Sequence, residues 1–279
     1  MKKIAIVTED VCSLSEKEIR DFDIEIVKTK LYFPPLEKFP EKNIYQLMET
    51  TKEVPKTSAP SPGDYLKAYK NLLRNFEKIL VITISSKLSG CFNAAFEGRE
   101  LSDSPERIFL FDSWQAVAGQ GLLVLRAAQL IKEGKEIEEI IRTLEKLKRE
   151  IKIFGFLQTT YWAKRTGRLK SELAFAFWAL RSLGVYPYFG IKEGKIGFSG
   201  FNLWTYSKEK AIFNQLKHAR KKGKMVVGIN FTTDFELALR LKEKIEKELE
   251  SKVLFSSLVP PVVGVTSGPG TFIVGFYHF

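Results

Sequence analysis

Three short segments of this chain place hydroxyl side chains beside glycine or proline where an apolar run gives way to a polar one. The first is Thr57-Ser-Ala-Pro-Ser-Pro-Gly63. Ser61 there is a natural N-cap, with Pro62 at the first helical position and Asp64 in the first turn. Capping accounts for Ser61 but not for Thr57 and Ser58. The second is Ser85-Ser-Lys-Leu-Ser-Gly90, followed by Cys-Phe-Asn93, directly after the apolar run Ile79–Ile84. A cap needs one hydroxyl, and this turn carries three, so the surplus suggests a site for an anionic ligand at a helix N-terminus. The third is Gly264-Val-Thr-Ser-Gly-Pro-Gly270, where three glycines in seven residues read as a loop of close backbone approach between apolar strands.

Other chemistries are absent from the pattern. The chain has no GxxxxGK[ST], no complete GxGxxG, no HExxH and no GxSxG. Its histidines, His218 and His278, lie in a basic helix end and near the C-terminus, and neither is placed like a catalytic base. Cys12 and Cys91 show no CxxC spacing and read as buried thiols of a reducing compartment. No metal set is expected.

The elements that must position these segments follow from periodicity. Strand-like runs are Ile4–Val7, Ile24–Thr29, Ile79–Ile84, Ile108–Asp112, Ile151–Leu157, Lys195–Phe201, Val226–Asn230, Val253–Leu258 and Thr271–Phe279. Helix-like runs are Ser15–Phe22, Pro62–Asn75, Cys91–Leu101, Val117–Lys132, Ile137–Arg149, Glu172–Leu183, Lys208–Arg220 and Phe235–Glu250. Strand and helix alternate in the first half, which predicts βαβ units around a parallel sheet. The second half is looser, and some of its strands are expected to pair antiparallel. Phe33–Pro55 carries little periodicity and is expected to wrap the surface. A length of 279 residues suits two α/β domains, 1–148 and 149–279, better than one.

A content of 44% hydrophobic and 13% aromatic residues excludes a disordered chain. No apolar stretch reaches the length of a membrane span, and the run Ile4–Val7 is too short for a secretory leader, so a cytoplasmic protein is expected, with no stable membrane insertion. The net charge of +11 is spread over mixed helix faces. Its one basic run, Lys217 to Lys224, sits where cations suit a helix C-terminus, and no reader motif accompanies it, so no nucleic-acid partner is expected.

Taken in order, the motifs resemble the DegV family, the fatty-acid-binding proteins that include the acyl-binding subunit of bacterial fatty acid kinase. Thr57–Gly63 matches TSxPSxG, and Ile84–Gly90 matches ISSxLSG. Asp112-Ser113 with Gly119-Gln-Gly-Leu-Leu-Val-Leu matches DS…MGxGxLVL, and Leu157 with Lys164-Arg-Thr-Gly-Arg168-Leu resembles LxxLxKGGRI. Gly184-Val-Tyr-Pro187-Tyr with Glu193-Gly-Lys resembles NIKPIL…DGK, and Ser267-Gly-Pro-Gly270 matches the end of HTGPG. Each is weak alone; their order and spacing span nearly the whole chain.

The resemblance implies two α/β domains, an N-terminal one on a parallel sheet and a C-terminal one on a mixed sheet, with a ligand cleft between them. It implies no cofactor, and a long-chain fatty acid bound with its carboxylate at the cleft mouth and its chain buried. Thr57 and Ser89 are the implied carboxylate hydroxyls, with Ser58, Gly90, Asn93, Thr266, Ser267 and Gly268 beside them. The implied role is a non-catalytic carrier that presents its ligand to a kinase partner. A lipid sensor without a kinase, and an enzyme acting on a small molecule in the same cleft, are the alternatives. Phe175, Phe177 and Trp178 are expected either in the core or along the acyl tunnel, and Arg168 either at the cleft or holding its turn. Three departures stand out. Thr266 replaces the His of HTGPG, Glu9-Asp-Val-Cys-Ser-Leu14 replaces DSTxDL, and Thr166 replaces the first Gly of KGGR.

Overall fold

The computed structural model describes residues 2–166, 177, 179–180, 182–205 and 207–279. The expected helix Glu172–Leu183, with Phe175 and Trp178, and Arg168 lie largely outside them.

The first sheet holds β1 (Lys2–Glu9), β2 (Ile24–Val27), β5 (Phe76–Thr83) and β6 (Ile108–Asp112) in the order β2-β1-β5-β6, all parallel. The apolar runs dictate this. Leu80, Val81 and Ile82 of β5 are all fully buried, as a strand covered on both faces requires. The chain leaves β1 toward β2 on one side and returns to β5 on the other. The sheet therefore has a switch point between the carboxyl ends of β1 and β5, where Glu9 and the turn after Thr83 lie side by side.

The second sheet has the order β11-β10-β12-β7-β8-β9. Its strands are β7 (Lys152–Phe156), β8 (Tyr186–Lys192), β9 (Lys195–Asn202), β10 (Met225–Phe231), β11 (Lys252–Leu258) and β12 (Phe272–His278). Only β10 and β11 pair parallel; every other neighbour pair is antiparallel. The expectation of a parallel first sheet and a mixed second one holds. Strand β8 was not anticipated, because Pro187 and Gly190 interrupt its apolar pattern. Gly190 is needed there, since a Cβ would come within 2.9 Å of the Ile153 carbonyl on β7.

Helix α6 (Val117–Lys132) lies between the sheets and is buried nearly all round. Its Leu122, Leu123 and Leu125 share one apolar core with Ile4 and Ile6 of β1, Ile153 of β7 and Phe255 of β11. Close approach needs Gly121, where a Cβ would sit 2.8 Å from the Cys12 carbonyl. Helix α7 (Ile137–Glu150) is amphipathic, with Ile137, Ile140, Leu144 and Leu147 buried at helical spacing. The expected boundary after Lys148 falls in its last turn.

Further helices among the described residues are α1 (Glu16–Asp21), α2 (Pro34–Lys38), α3 (Ile44–Thr50), α4 (Pro62–Leu72), α5 (Cys91–Glu100), α8 (Tyr161–Arg165), α9 (Lys208–Arg220), α10 (Phe235–Glu248) and α11 (Pro261–Ser267). The short strands β3 (Lys30–Tyr32) and β4 (Lys56–Ser58) form a two-stranded antiparallel sheet. Two expectations are corrected here. Phe33–Pro55 is not an irregular wrap: it holds α2 and α3 and buries Phe33, Leu47 and Met48 against Trp162 and Val265. The segment from Gly264 is not wholly a loop, since Pro261–Ser267 is helical and only Gly268 to Gly270 turn.

Candidate functional site

Beyond Thr83 the chain turns through Ser85–Gly90 into α5. The three serines of this turn have different fates. Ser85 is fully buried and its Oγ donates to the Gly194 carbonyl at 2.8 Å, in the β8–β9 hairpin. Ser86 donates through Oγ to Asp112 Oδ2 at 2.5 Å and through its amide to Oδ1 at 3.1 Å. Two of the three hydroxyls thus tie the turn to its neighbours, which accounts for the surplus over a cap without a ligand. Ser89 is half-buried; its Oγ lies 3.1 Å from Cys91 Sγ and accepts the Cys91 amide at 3.4 Å. Gly90 is the exposed N-cap of α5, and Asn93 is exposed in the first turn.

The Thr57–Gly63 segment lies against this turn: a Cβ on Gly90 would stand 3.9 Å from Ala59 Cβ. Thr57 is half-buried in β4 opposite Leu31, and Ser58 is exposed opposite Lys30. Ser61 caps α4 in a reciprocal box with Asp64. Lys30, 2.8 Å away, and the Ser61 bonds hold the Asp64 carboxyl down at about 2.

From the other side comes α11. The Thr266 and Ser267 hydroxyls both donate to the Val263 carbonyl, at 2.8 and 3.0 Å. Gly268 ends the helix with φ of 82°, its amide donating to Gly264 at 2.7 Å, and is buried against Trp162. The following turn is pinned by Thr233, whose Oγ1 accepts the Gly270 amide at 3.0 Å. An apolar cluster joins the three segments: Ala59, Leu88, Cys91, Val262 and Val263 pack with Ile84 and Val259. The structure therefore brings together the backbone segments of all eight expected residues, with an apolar floor beneath them.

Sequence reasoning passed over the groups behind this floor. Glu9 ends β1 fully buried. Its Oε1 accepts the Tyr65 hydroxyl at 2.5 Å; its Oε2 accepts the Ile84 amide at 3.0 Å and Gln120 Nε2 at 2.9 Å. Burial pushes its carboxyl up to about 7 against the pull of these three donors. Tyr65 also hydrogen-bonds Cys91, whose thiol burial pushes up to about 12. The available signal was an acid at the end of an apolar strand. Arg165 was also missed: its guanidinium donates to the Met48, Thr51 and Glu53 carbonyls at 3.1, 3.2 and 3.2 Å, closing the C-terminal end of α3. Tyr45 of α3 lies against Gly264 and hydrogen-bonds Thr232.

Among the described residues no group of three or more His, Cys, Asp or Glu could hold a metal, and no helix is long and apolar enough to cross a membrane. Hydroxyl-bearing turns at the switch point of a parallel sheet, tied to a second, mixed sheet through Ser85 and Gly194, define a two-domain α/β fold. The chain belongs to the DegV family, whose model, described as uncharacterised proteins of that family, matches residues 3–278. A DegV domain-containing protein of Clostridium acetobutylicum is 26% identical over 291 residues, 97% of each chain. Among solved structures, a DegV family protein of Thermus thermophilus reported as fatty acid binding superposes with a TM-score of 0.85 at 23% identity, covering 99% of this chain and 100% of its own. A stearic acid-binding protein of Eubacterium ventriosum superposes at 0.82 with 24% identity, covering 99% and 98%. These likenesses show the two-domain fold.

Proposed function

We propose that this protein binds a long-chain fatty acid, with the carboxylate at the Ser89–Gly90 turn and the chain buried between the two domains, divided after Lys148. The observation that carries the reading is the apolar cluster that unites Ala59, Leu88 and Val263 beside half-buried Ser89. In this reading Thr57, Ser58, Ser89, Gly90 and Asn93 face the head group from one side, and Thr266, Ser267 and Gly268 from the other. The fatty-acid binding reported for the Thermus and Eubacterium proteins of the same fold supports it.

The energetics agree. About fifteen buried methylenes at about 0.8 kcal/mol each give roughly 12 kcal/mol before the cost of association. The head group must be hydrogen-bonded when dried. Hydroxyls and backbone amides supply that without a cation, and leave the carboxylate oxygens nucleophilic. The chain itself is then a carrier rather than an enzyme, and a kinase partner would supply phosphoryl transfer. Thr266 in place of the family histidine favours a second reading, a lipid sensor with no kinase.

Titration of the delipidated protein with myristic acid tests the binding. Saturation at one ligand per chain, weakened in Ser89→Ala, is the expected result, and no saturation in the wild type overturns it. Affinity capture of a kinase-like protein by the loaded carrier separates presentation from sensing.

A further inference from the structure

We propose that Glu9 is a positioning residue for the head-group site: its proton sets the direction of a hydrogen-bond chain that runs through Tyr65 and Cys91 to Ser89, and so decides whether Ser89 donates to the ligand carboxylate. This rests on the fatty-acid reading and deepens it.

The chain is continuous. Tyr65 Oη lies 2.5 Å from Glu9 Oε1 and hydrogen-bonds Cys91, whose Sγ lies 3.1 Å from Ser89 Oγ with either atom able to donate. Every member between Glu9 and Ser89 carries one proton and accepts another. When Glu9 is ionised, Tyr65 donates to Oε1, the thiol donates to Tyr65 oxygen, and Ser89 donates to sulfur. The Ser89 proton then points inward and its lone pairs face the ligand. When Glu9 carries a proton on Oε1, each bond reverses. Glu9 donates to Tyr65, Tyr65 to Cys91, and Cys91 to the Ser89 oxygen, and the Ser89 proton points outward. Oε2 keeps the Ile84 amide and Gln120 in both states.

A ligand carboxylate selects the outward-donating state, because a hydroxyl oxygen turned toward an anion repels it. It also selects a neutral Glu9, because two carboxylates around one dry cluster disfavour joint ionisation. Binding therefore takes up a proton. The groups facing Glu9 leave it to do so alone near neutrality. From α4 these are Tyr65 and Tyr69, both pushed further up by burial, with Arg99 beyond Tyr69. From α5 it is Cys91 and from its own segment Cys12, both thiols held up at about 12, with Asp10 turned to Thr29 at 2.8 Å. Among the described residues, the turn after β5 and helix α6 add the Ile84 amide and Gln120. Burial places the Glu9 carboxyl at about 7.

The test is calorimetric titration of the delipidated full chain with myristic acid, in two buffers of different ionisation enthalpy. At about pH 8 the wild type is expected to take up about one proton per ligand, and its affinity to fall about tenfold from about pH 6.5 to about pH 8.5. In Glu9→Gln the amide donates permanently to Tyr65, so proton uptake vanishes and the affinity stays at the wild type's low-pH value. Tyr65→Phe cuts the chain and weakens the pH dependence with Glu9 present, leaving only the direct repulsion between the two carboxylates. Saturable wild-type binding with no proton uptake overturns this inference alone, as does uptake that persists in a folded Glu9→Gln. No binding by the wild type at any pH overturns the fatty-acid reading and this inference with it. The wild-type proton count needs no variant, so it decides the matter even where a substitution fails to fold.

Discussion

The Ser85 hydroxyl donates to the Gly194 carbonyl at 2.8 Å, joining the turn after β5 to the tip of the β8–β9 hairpin across 109 residues. Lys87 adds a second bond between the same two turns, its Nζ donating to the Glu193 carbonyl at 2.8 Å. The second sheet thus holds in place the turn that carries Ser89.

This latch is expected to matter for stability. Ser85→Ala leaves the buried Gly194 carbonyl without its donor, which costs about 1–3 kcal/mol. Gly194→Ala is expected to be at least as damaging, since φ there is 80° and a Cβ would sit 2.5 Å from Ser85 Oγ. Urea denaturation of both variants checks this. Lys87→Ala loses an exposed bond and should lie within about 0.5 kcal/mol of the wild type.

Thr57→Val and Ser89→Ala are each expected to weaken fatty-acid binding about tenfold or more, with melting temperatures close to the wild type. Neither side chain is fully buried, so little folding energy rests on them. Loss of stability with ligand retained would make both hydroxyls structural and move the head group elsewhere.

Glu9 makes stability depend on pH. Its carboxyl sits at about 7 when folded, against 4.5 for the ordinary group. A raised acid gives stability that is fully present below about 4.5 and is lost as pH rises through about 7. The loss is on the order of 3 kcal/mol, the difference of the two values at 1.36 kcal/mol per unit. Denaturation of the ligand-free wild type and Glu9→Gln at about pH 5 and about pH 8 isolates it. The stability gap between the two proteins should shift by that amount in favour of the variant at the higher pH.

Arg165 is expected to hold α3 in place. Arg165→Ala frees the carbonyls of Met48, Thr51 and Glu53, and limited proteolysis should then cut first near Thr51–Pro55. A protease map unchanged from the wild type would show that the Phe33–Leu47–Trp162 cluster alone keeps the segment folded.

Much of this was legible because it is local. The apolar runs gave β1, β5, β6 and β10, and the spacing of Ile137, Ile140, Leu144 and Leu147 gave α7. Ser61-Pro62 with Asp64 read as the cap of α4, and it is one. Helices α2 and α3 were missed because five and seven residues are too few to establish a helical period. Strand β8 was missed because Pro187 and Gly190 mask it. Glu9 could not be read as part of a site, because its partners Tyr65, Ile84 and Gln120 lie 56, 75 and 111 residues away. Only the pairing of β1 with β5 and the placement of α6 bring them together. The same holds for Ser85 and Ser86, whose acceptors lie in another hairpin and on another strand.

Native mass spectrometry of the purified protein, followed by organic extraction and identification of the released lipid, tests the central claim most directly. The account predicts a mass increment of one long-chain fatty acid per chain, recovered in the extract and diminished in Ser89→Ala. A clean apo mass that stays unchanged on addition of fatty acids from C12 to C18 would contradict it.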